Sequence, residues 1–172
     1  MRWLEVLEGD ITKIKADAIV NAANTGLAMG GGVCGAIFRS AGIGELSEAC
    51  HAIGHCPTGS AVITPAFGIK TAKFIIHAVG PVYSRHPASE ARELLRSAYR
   101  TAIRLAKRNS CKSIAFPAIS TGIYGYPLHK ACKEAVAVCA EEAAADHIHV
   151  KLVAFDAVTA ACLRQHSREA EG

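Results

Sequence analysis

Three consecutive glycines, Gly30-Gly31-Gly32, sit between an apolar run, Ala18-Ile19-Val20, and a helix-forming segment from about Val33. Strand, glycine loop and helix start, in that order, suit an anion. Glycines open positive-φ conformations and let a ligand meet bare backbone. Free N–H groups at the helix start point at the anion, and the helix dipole favours negative charge there. The order recurs at Pro117-Ala118-Ile119-Ser120-Thr121-Gly122-Ile123-Tyr124-Gly125-Tyr126-Pro127, after Ser113–Phe116 and before a helix from Leu128. Two such loops in one small domain can clamp a diphosphate, because successive loop N–H groups form a concave nest. Neither GxGxxG nor GxxxxGKS/T is present, so the usual dinucleotide and triphosphate fingerprints are missing. A glycine loop alone fits a structural turn equally well.

Other polar residues have plainer readings. Asp10, after the alternating segment Trp3–Leu7, fits a turn or helix N-cap. Asn21 and Asn24 come after the second strand, where asparagine often satisfies turns; Asn21 is read as structural. His77, inside the apolar run Lys73–Val79, reads as a packed core histidine. Cys50-His51-Ala52-Ile53-Gly54-His55-Cys56 invites a metal, but its spacing is wrong for a zinc knuckle and Gly54 ends the helix before His55. No metal ligand set and no cofactor are expected.

The elements that position these residues alternate. Strands are read at Trp3–Leu7, Ala18–Val20, Ser60–Thr64, Lys73–Val79, Ser113–Phe116 and His149–Phe155. Helices are read at Val33–Ala41, Glu45–Ile53, Ser89–Arg108, Leu128–Ala145 and Asp156–Arg168. On Ser89–Arg108, Leu94, Leu95, Ala98, Tyr99, Ala102, Ile103 and Ala106 recur at helical spacing with arginines opposite, read as a solvated face. Cys132 and Cys139, seven apart, read as core. Alternation predicts an α/β sandwich with a mixed, largely parallel sheet, and a ligand crevice beyond the C-terminal strand ends.

Taken together the motifs resemble the macro domain family of ADP-ribose-binding modules. The resemblance runs through Gly9-Asp10-Ile11-Thr12, Asn21-Ala22-Ala23-Asn24, Gly30-Gly31-Gly32-Val33, His77-Ala78-Val79-Gly80-Pro81, Pro117–Gly125 and Phe155-Asp156, in order over nearly the whole chain. It implies a three-layer α/β/α sandwich and one macro domain over residues 1–172. It implies that Asp10 accepts from the adenine amino group and that the Ile11 N–H also meets adenine. Phe155 would stack on the base, with a core position as the competing reading. The diphosphate would lie between Val33-Cys34 and Ser120-Thr121-Gly122-Ile123-Tyr124. The distal ribose would meet Asn24, Gly31 and Gly32, with Tyr124 lining that pocket, and Ala22 would also touch the ligand.

The activity so implied is release of ADP-ribose from Asp- or Glu-modified proteins, with O-acetyl-ADP-ribose as a related substrate. Asn24 and the loop at Gly32 would hold the water, and a phosphate oxygen of the ligand would act as base. The chain departs from the MacroD-like branch at two positions. That branch usually carries an aspartate just after the G-G-G-V and a histidine four residues later; here stand Cys34 and Phe38. Viral macro domains resemble this chain in having a cysteine and an aromatic there. Cys34 has no evident histidine partner and reads as a small pocket-lining thiol. A non-catalytic reader of ADP-ribose or poly(ADP-ribose) therefore stands beside the hydrolase.

Composition bounds these readings. A chain of 172 residues, 51% hydrophobic and 20% charged, is long and apolar enough for one globular core. No apolar run reaches the ~18 residues of a membrane span, and the N-terminus has no signal-peptide core. A cytoplasmic location, a monomer and reduced, buried thiols for the seven cysteines are expected. The net charge of +4 is spread without a basic run, so RNA or poly(ADP-ribose) is a weak expectation for a partner.

Overall fold

The structure is a computed structural model and describes residues 3–171. Six strands build one sheet: β1 (Leu4–Glu8), β2 (Ala18–Ala22), β3 (Ala61–Pro65), β4 (Phe74–Ala78), β5 (Ser113–Phe116) and β6 (His149–Ala154). Their spatial order is β1-β6-β5-β2-β4-β3. Every neighbouring pair is parallel except β3–β4. Five helices cover the sheet: α1 (Gly32–Ala41), α2 (Ile43–Ile53), α3 (Ala88–Arg108), α4 (Leu128–Asp146) and α5 (Ala157–Glu171).

Alternation along each strand separates two cores. Side chains of successive strand residues point to opposite faces. Ala18 and Val20 of β2, Ile76 and Ala78 of β4, and Val150 and Leu152 of β6 pack under α3, α4 and α5. Ile19, Ile75 and Val153 pack on the other face, under α1 and α2. The result is a three-layer α/β/α sandwich with a mixed, largely parallel sheet. No helix among the described residues is long and apolar enough to cross a membrane.

Most boundaries fall within a residue or two of the sequence reading. The last helix differs: it starts at Ala157 and runs to Glu171, and Asp156 caps it by accepting from the Thr159 N–H at 2.8 Å. Asn21 lies inside β2 and not beyond its end. The arginine face of α3 is only partly solvated: Arg92 and Arg104 stay exposed, but all four arginines from Arg92 to Arg104 pair with carboxylates of α4. Arg92 and Arg96 both reach Glu134 of α4 at 3.0 Å, and Arg100 and Arg104 reach Glu142 at 2.9 and 3.3 Å. Both glutamates are buried. Arginines four apart lie on one helix side, and that side faces the carboxylates of α4.

Candidate functional site

The parallel strands β1, β6, β5 and β2 end on the same side, and the residues just past their C-terminal ends line one edge of the sheet. Glu8 pairs with Ala154, and the Gly9 N–H donates to the Ala154 carbonyl at 2.9 Å. Asp10 and Phe155 therefore stand immediately past the ends of adjacent strands. Next in order is the loop after β5, then the loop after β2. At ~4.8 Å per strand the row from β1 to β2 spans roughly 14 Å.

Asp10 caps the short 3-10 turn Ile11–Lys13. Its Oδ1 accepts from the Thr12 N–H at 2.9 Å and from Thr12 Oγ1 at 2.7 Å. The Thr12 side-chain bond, with help from its backbone N–H, holds the Asp10 carboxyl below the usual range. Both bonds use Oδ1, so Oδ2 stays open to solvent. Ile11 is buried beneath the turn. Phe155 is 78% exposed, which removes the core reading left open by the sequence.

The loop after β2 is tied to itself. Asn24 donates from Nδ2 to the Ala28 carbonyl, and its Oδ1 accepts from the Ala28 N–H, both at 3.0 Å. The amide expected to face a ligand is closed on its own loop. Ala22, at the end of β2, is half-buried beside this loop. The Cys34 thiol lies beneath the glycines, 3.4 Å from the Gly30 nitrogen and 3.9 Å from the Ala28 carbonyl oxygen. Phe38 is 1% exposed and belongs to the core under α1. Gly31 is the N-cap of α1 and makes no side-chain cap bond, while Gly32 has φ +55°. The first N–H groups of a helix have no intrahelical acceptor, so those of Gly32, Val33 and Cys34 face outward at the edge. Gly35 N–H closes the turn onto the Gly31 carbonyl at 3.2 Å. A Cβ on Gly35 would come within 2.8 Å of the Gly30 carbonyl oxygen, so the loop folds back where only glycine fits.

The loop after β5 is held from below. Ser120 has φ +68° and is buried; its hydroxyl donates to the Pro81 carbonyl at 2.8 Å. Thr121 Oγ1 donates to the Ala118 carbonyl at 2.8 Å. Both hydroxyls are turned into the loop, so it is the backbone that the loop presents. The N–H groups of Gly122, Ile123 and Tyr124 have no acceptor among the described residues. Ile123 stands at the tip, 99% exposed. The Tyr124 carbonyl accepts from the Tyr83 N–H at 2.9 Å, and the Tyr83 and Tyr126 rings pack 4.7 Å apart.

Two residues supporting this loop escaped the sequence reading. Tyr99 of α3 is buried; its hydroxyl accepts from the Ile119 N–H at 3.0 Å and donates to the Pro117 carbonyl at 3.3 Å. Its place in the apolar stripe of α3 gave no sign of that role. Gly80 passes so close to Ser120 Oγ and Ile119 Cγ2 that a Cβ there would collide with both. His77 is a core residue, as expected. Asn21 Nδ2 contacts its Nδ1 at 3.1 Å and Thr64 Oγ1 its Nε2 at 3.0 Å. Desolvation lowers its pKa to about 4.

The edge thus offers one open carboxylate oxygen, one exposed aromatic ring and two sets of outward N–H groups in a row. The chemistry is that of an anion flanked by a base. Comparisons with known proteins agree with this geometry. The model of the Macro domain family matches residues 20–135. The O-acetyl-ADP-ribose deacetylase of Salmonella gallinarum is 56% identical over 137 residues, covering 77% of this chain and 75% of that protein. A macro domain-containing protein of Cupriavidus necator is 51% identical over 159 residues, covering 89% and 90%. A mutant Oceanobacillus iheyensis macrodomain solved with ADPR superposes with a TM-score of 0.93 at 38% identity, covering 98% of this chain and 93% of that one. The Trypanosoma brucei macrodomain in complex with ADP-ribose gives 0.85 at 32%, covering 99% and 70%. Matched by its family model over more than half its length and by relatives above 50% identity, this chain belongs to the macro domain family.

Proposed function

We propose that the strand-end edge binds ADP-ribose and that the protein hydrolyses esters carried on its distal ribose. The observation that carries this reading is the collinear row of Asp10, Phe155, the Gly122–Tyr124 N–H groups and the Gly32–Cys34 N–H groups. The row matches adenine, diphosphate and distal ribose in sequence and in span. Asp10 Oδ2 accepts from the adenine amine, a bond strengthened by the carboxylate charge. Phe155 stacks on the ring. The two loops take the diphosphate from either side on preorganised N–H groups, aided by the dipole of α1. The distal ribose then falls beside Asn24, Gly31 and Gly32.

O-acetyl-ADP-ribose is the substrate that the names of the Salmonella relatives support. ADP-ribose esterified to Asp or Glu of a protein presents the same bond. In either case water adds to the acyl carbon, the bond from acyl carbon to ribose oxygen breaks, and the carboxylic acid and ADP-ribose leave. The glycine loop carries no titratable side chain except the buried Cys34. A phosphate oxygen of the bound ligand is the base this arrangement leaves available. Outward N–H groups of the loop stabilise the developing oxyanion. Asn24 acts as a positioning residue, because its amide sets the loop geometry through Ala28.

A reader without turnover is the second reading. It is favoured by the closed Asn24–Ala28 pair and by Cys34 and Phe38, neither of which can orient a water as a carboxylate does. The test is release of acetate from O-acetyl-ADP-ribose, and of ADP-ribose from a glutamate-linked protein, by wild type and Asn24→Ala. Turnover by wild type with at least a tenfold loss in the variant supports the hydrolase. ADP-ribose binding without turnover of either ester makes the protein a reader.

A further inference from the structure

On the face covered by α4 and α5, four side chains converge that the proposed function does not use. His129 and Cys132 are three apart on α4, and Cys162 and His166 are four apart on α5. Each pair therefore lies on one side of its helix, and α4 and α5 pack against each other. Ligand atoms of His129, Cys162 and His166 all lie within 4.8 Å of one another. Cys162 Sγ is 3.4 Å from His129 Nδ1, and the two imidazoles meet edge to face with centroids 6.1 Å apart. A tetrahedral zinc with Zn–N of ~2.0–2.1 Å and Zn–S of ~2.3 Å sets its ligand atoms about 3.3–3.8 Å apart. The Cys162–His129 pair already has that spacing.

A thiol hydrogen-bonded to an imidazole would account for that pair alone. It does not account for His166. His166 Nε2 is buried and has no hydrogen-bond partner among the described residues, a state that proteins normally avoid. Its other nitrogen, Nδ1, is 3.3 Å from Glu169 Oε2. Its Nε2 thus has a lone pair or N–H that the protein leaves unused, while a carboxylate lies near its other nitrogen, as around many ligating histidines.

We propose that His129, Cys162 and His166 form a binding site for a zinc-class divalent cation, with a solvent molecule in the fourth position on the exposed His129 side. Two imidazoles and a thiolate are the donor set of zinc. Binding releases the Cys162 proton to solvent. Cys132 is buried. His129 is the second residue of α4, directly after the Gly122–Tyr124 loop, and α5 begins two residues after Phe155. The cation therefore clamps together the helices that extend from two walls of the strand-end edge.

The experiment is titration of chelator-treated protein with Co²⁺, followed by displacement with Zn²⁺. Wild type is expected to take up about one Co²⁺ per chain with tetrahedral visible bands and a near-ultraviolet thiolate charge-transfer band, and to melt at higher temperature with Zn²⁺. Cys162→Ser removes the charge-transfer band. His129→Ala, at an exposed position that leaves the core untouched, weakens Co²⁺ at least tenfold without lowering the metal-free melting temperature. Absence of stoichiometric uptake overturns the proposal. So does a band that persists in Cys162→Ser, or an affinity unchanged in His129→Ala, since the ligands would then lie elsewhere, as at Cys50–Cys56.

Discussion

Phe155 and Asn24 show how one residue's surroundings decide its role. An exposed phenylalanine contributes little to folding, because the water-exposed ring is not removed from solvent. Phe155→Ala is therefore expected to leave the melting temperature unchanged while weakening ADP-ribose. Base–aromatic stacking of ~1–3 kcal/mol corresponds to a loss of about 5- to 150-fold. Calorimetric titration of ADP-ribose, beside a thermal melt, checks both halves; an unchanged affinity would remove Phe155 from the site. The type and place of Phe155 were legible in the sequence, but its exposure was not, because a phenylalanine at a strand end fits a core equally well. Asn24 was legible as a loop residue. Its closure on Ala28 was not, since an amide can serve backbone or ligand and only the loop's path decides.

The loops owe their shape to elements that never touch a ligand. Tyr99 of α3 holds the root of the second loop through Ile119 and Pro117. Tyr99→Phe keeps the ring and its packing on Phe116 but leaves the buried Ile119 N–H unpaired. A cost of ~1–3 kcal/mol is expected, read as a shift of the urea midpoint at unchanged slope, together with weaker ADP-ribose. Weaker stability with unchanged affinity would show that the loop keeps its shape without this support. Period-two and period-3.6 patterns fixed nearly every strand and helix in advance, because burial on one side leaves its mark in the residue types. The arginine side of α3 was read only in part for the same reason: charge opposite an apolar stripe signals solvent, which Arg92 and Arg104 keep, but it does not show the pair of glutamates on another helix. Likewise His129-x-x-Cys132 and Cys162-x-x-x-His166 are ordinary helical spacings until α4 and α5 are packed together.

At the scale of the whole molecule, the buried histidine His77 sits on β4, on the sheet face covered by α2, where its Nε2 meets Thr64 and Cys50. Desolvation lowers its folded pKa from 6.5 to about 4. The unfolded chain therefore binds a proton between these values that the folded chain refuses, and stability falls as pH drops through this window. A shift of this size amounts to ~3 kcal/mol once pH is below 4. Urea denaturation at pH 7, 6, 5 and 4 should show the decline, and His77→Gln should flatten it. An identical slope in both chains would assign the decline to other groups. The same molecule has two ends of unlike character. The strand-end edge carries N–H groups and one carboxylate. A separate depression is lined by Lys15, Lys70, Lys73 and Lys151.

That contrast gives the most direct test, a titration of isotopically labelled protein with ADP-ribose monitored by amide NMR. The proposed site predicts the largest shifts at Ile11, Val33, Cys34, Gly122, Ile123, Tyr124 and Phe155, with little change at Lys70–Lys73. Shifts centred on the lysine-lined depression, or none at ADP-ribose concentrations that saturate related macro domains, would contradict it.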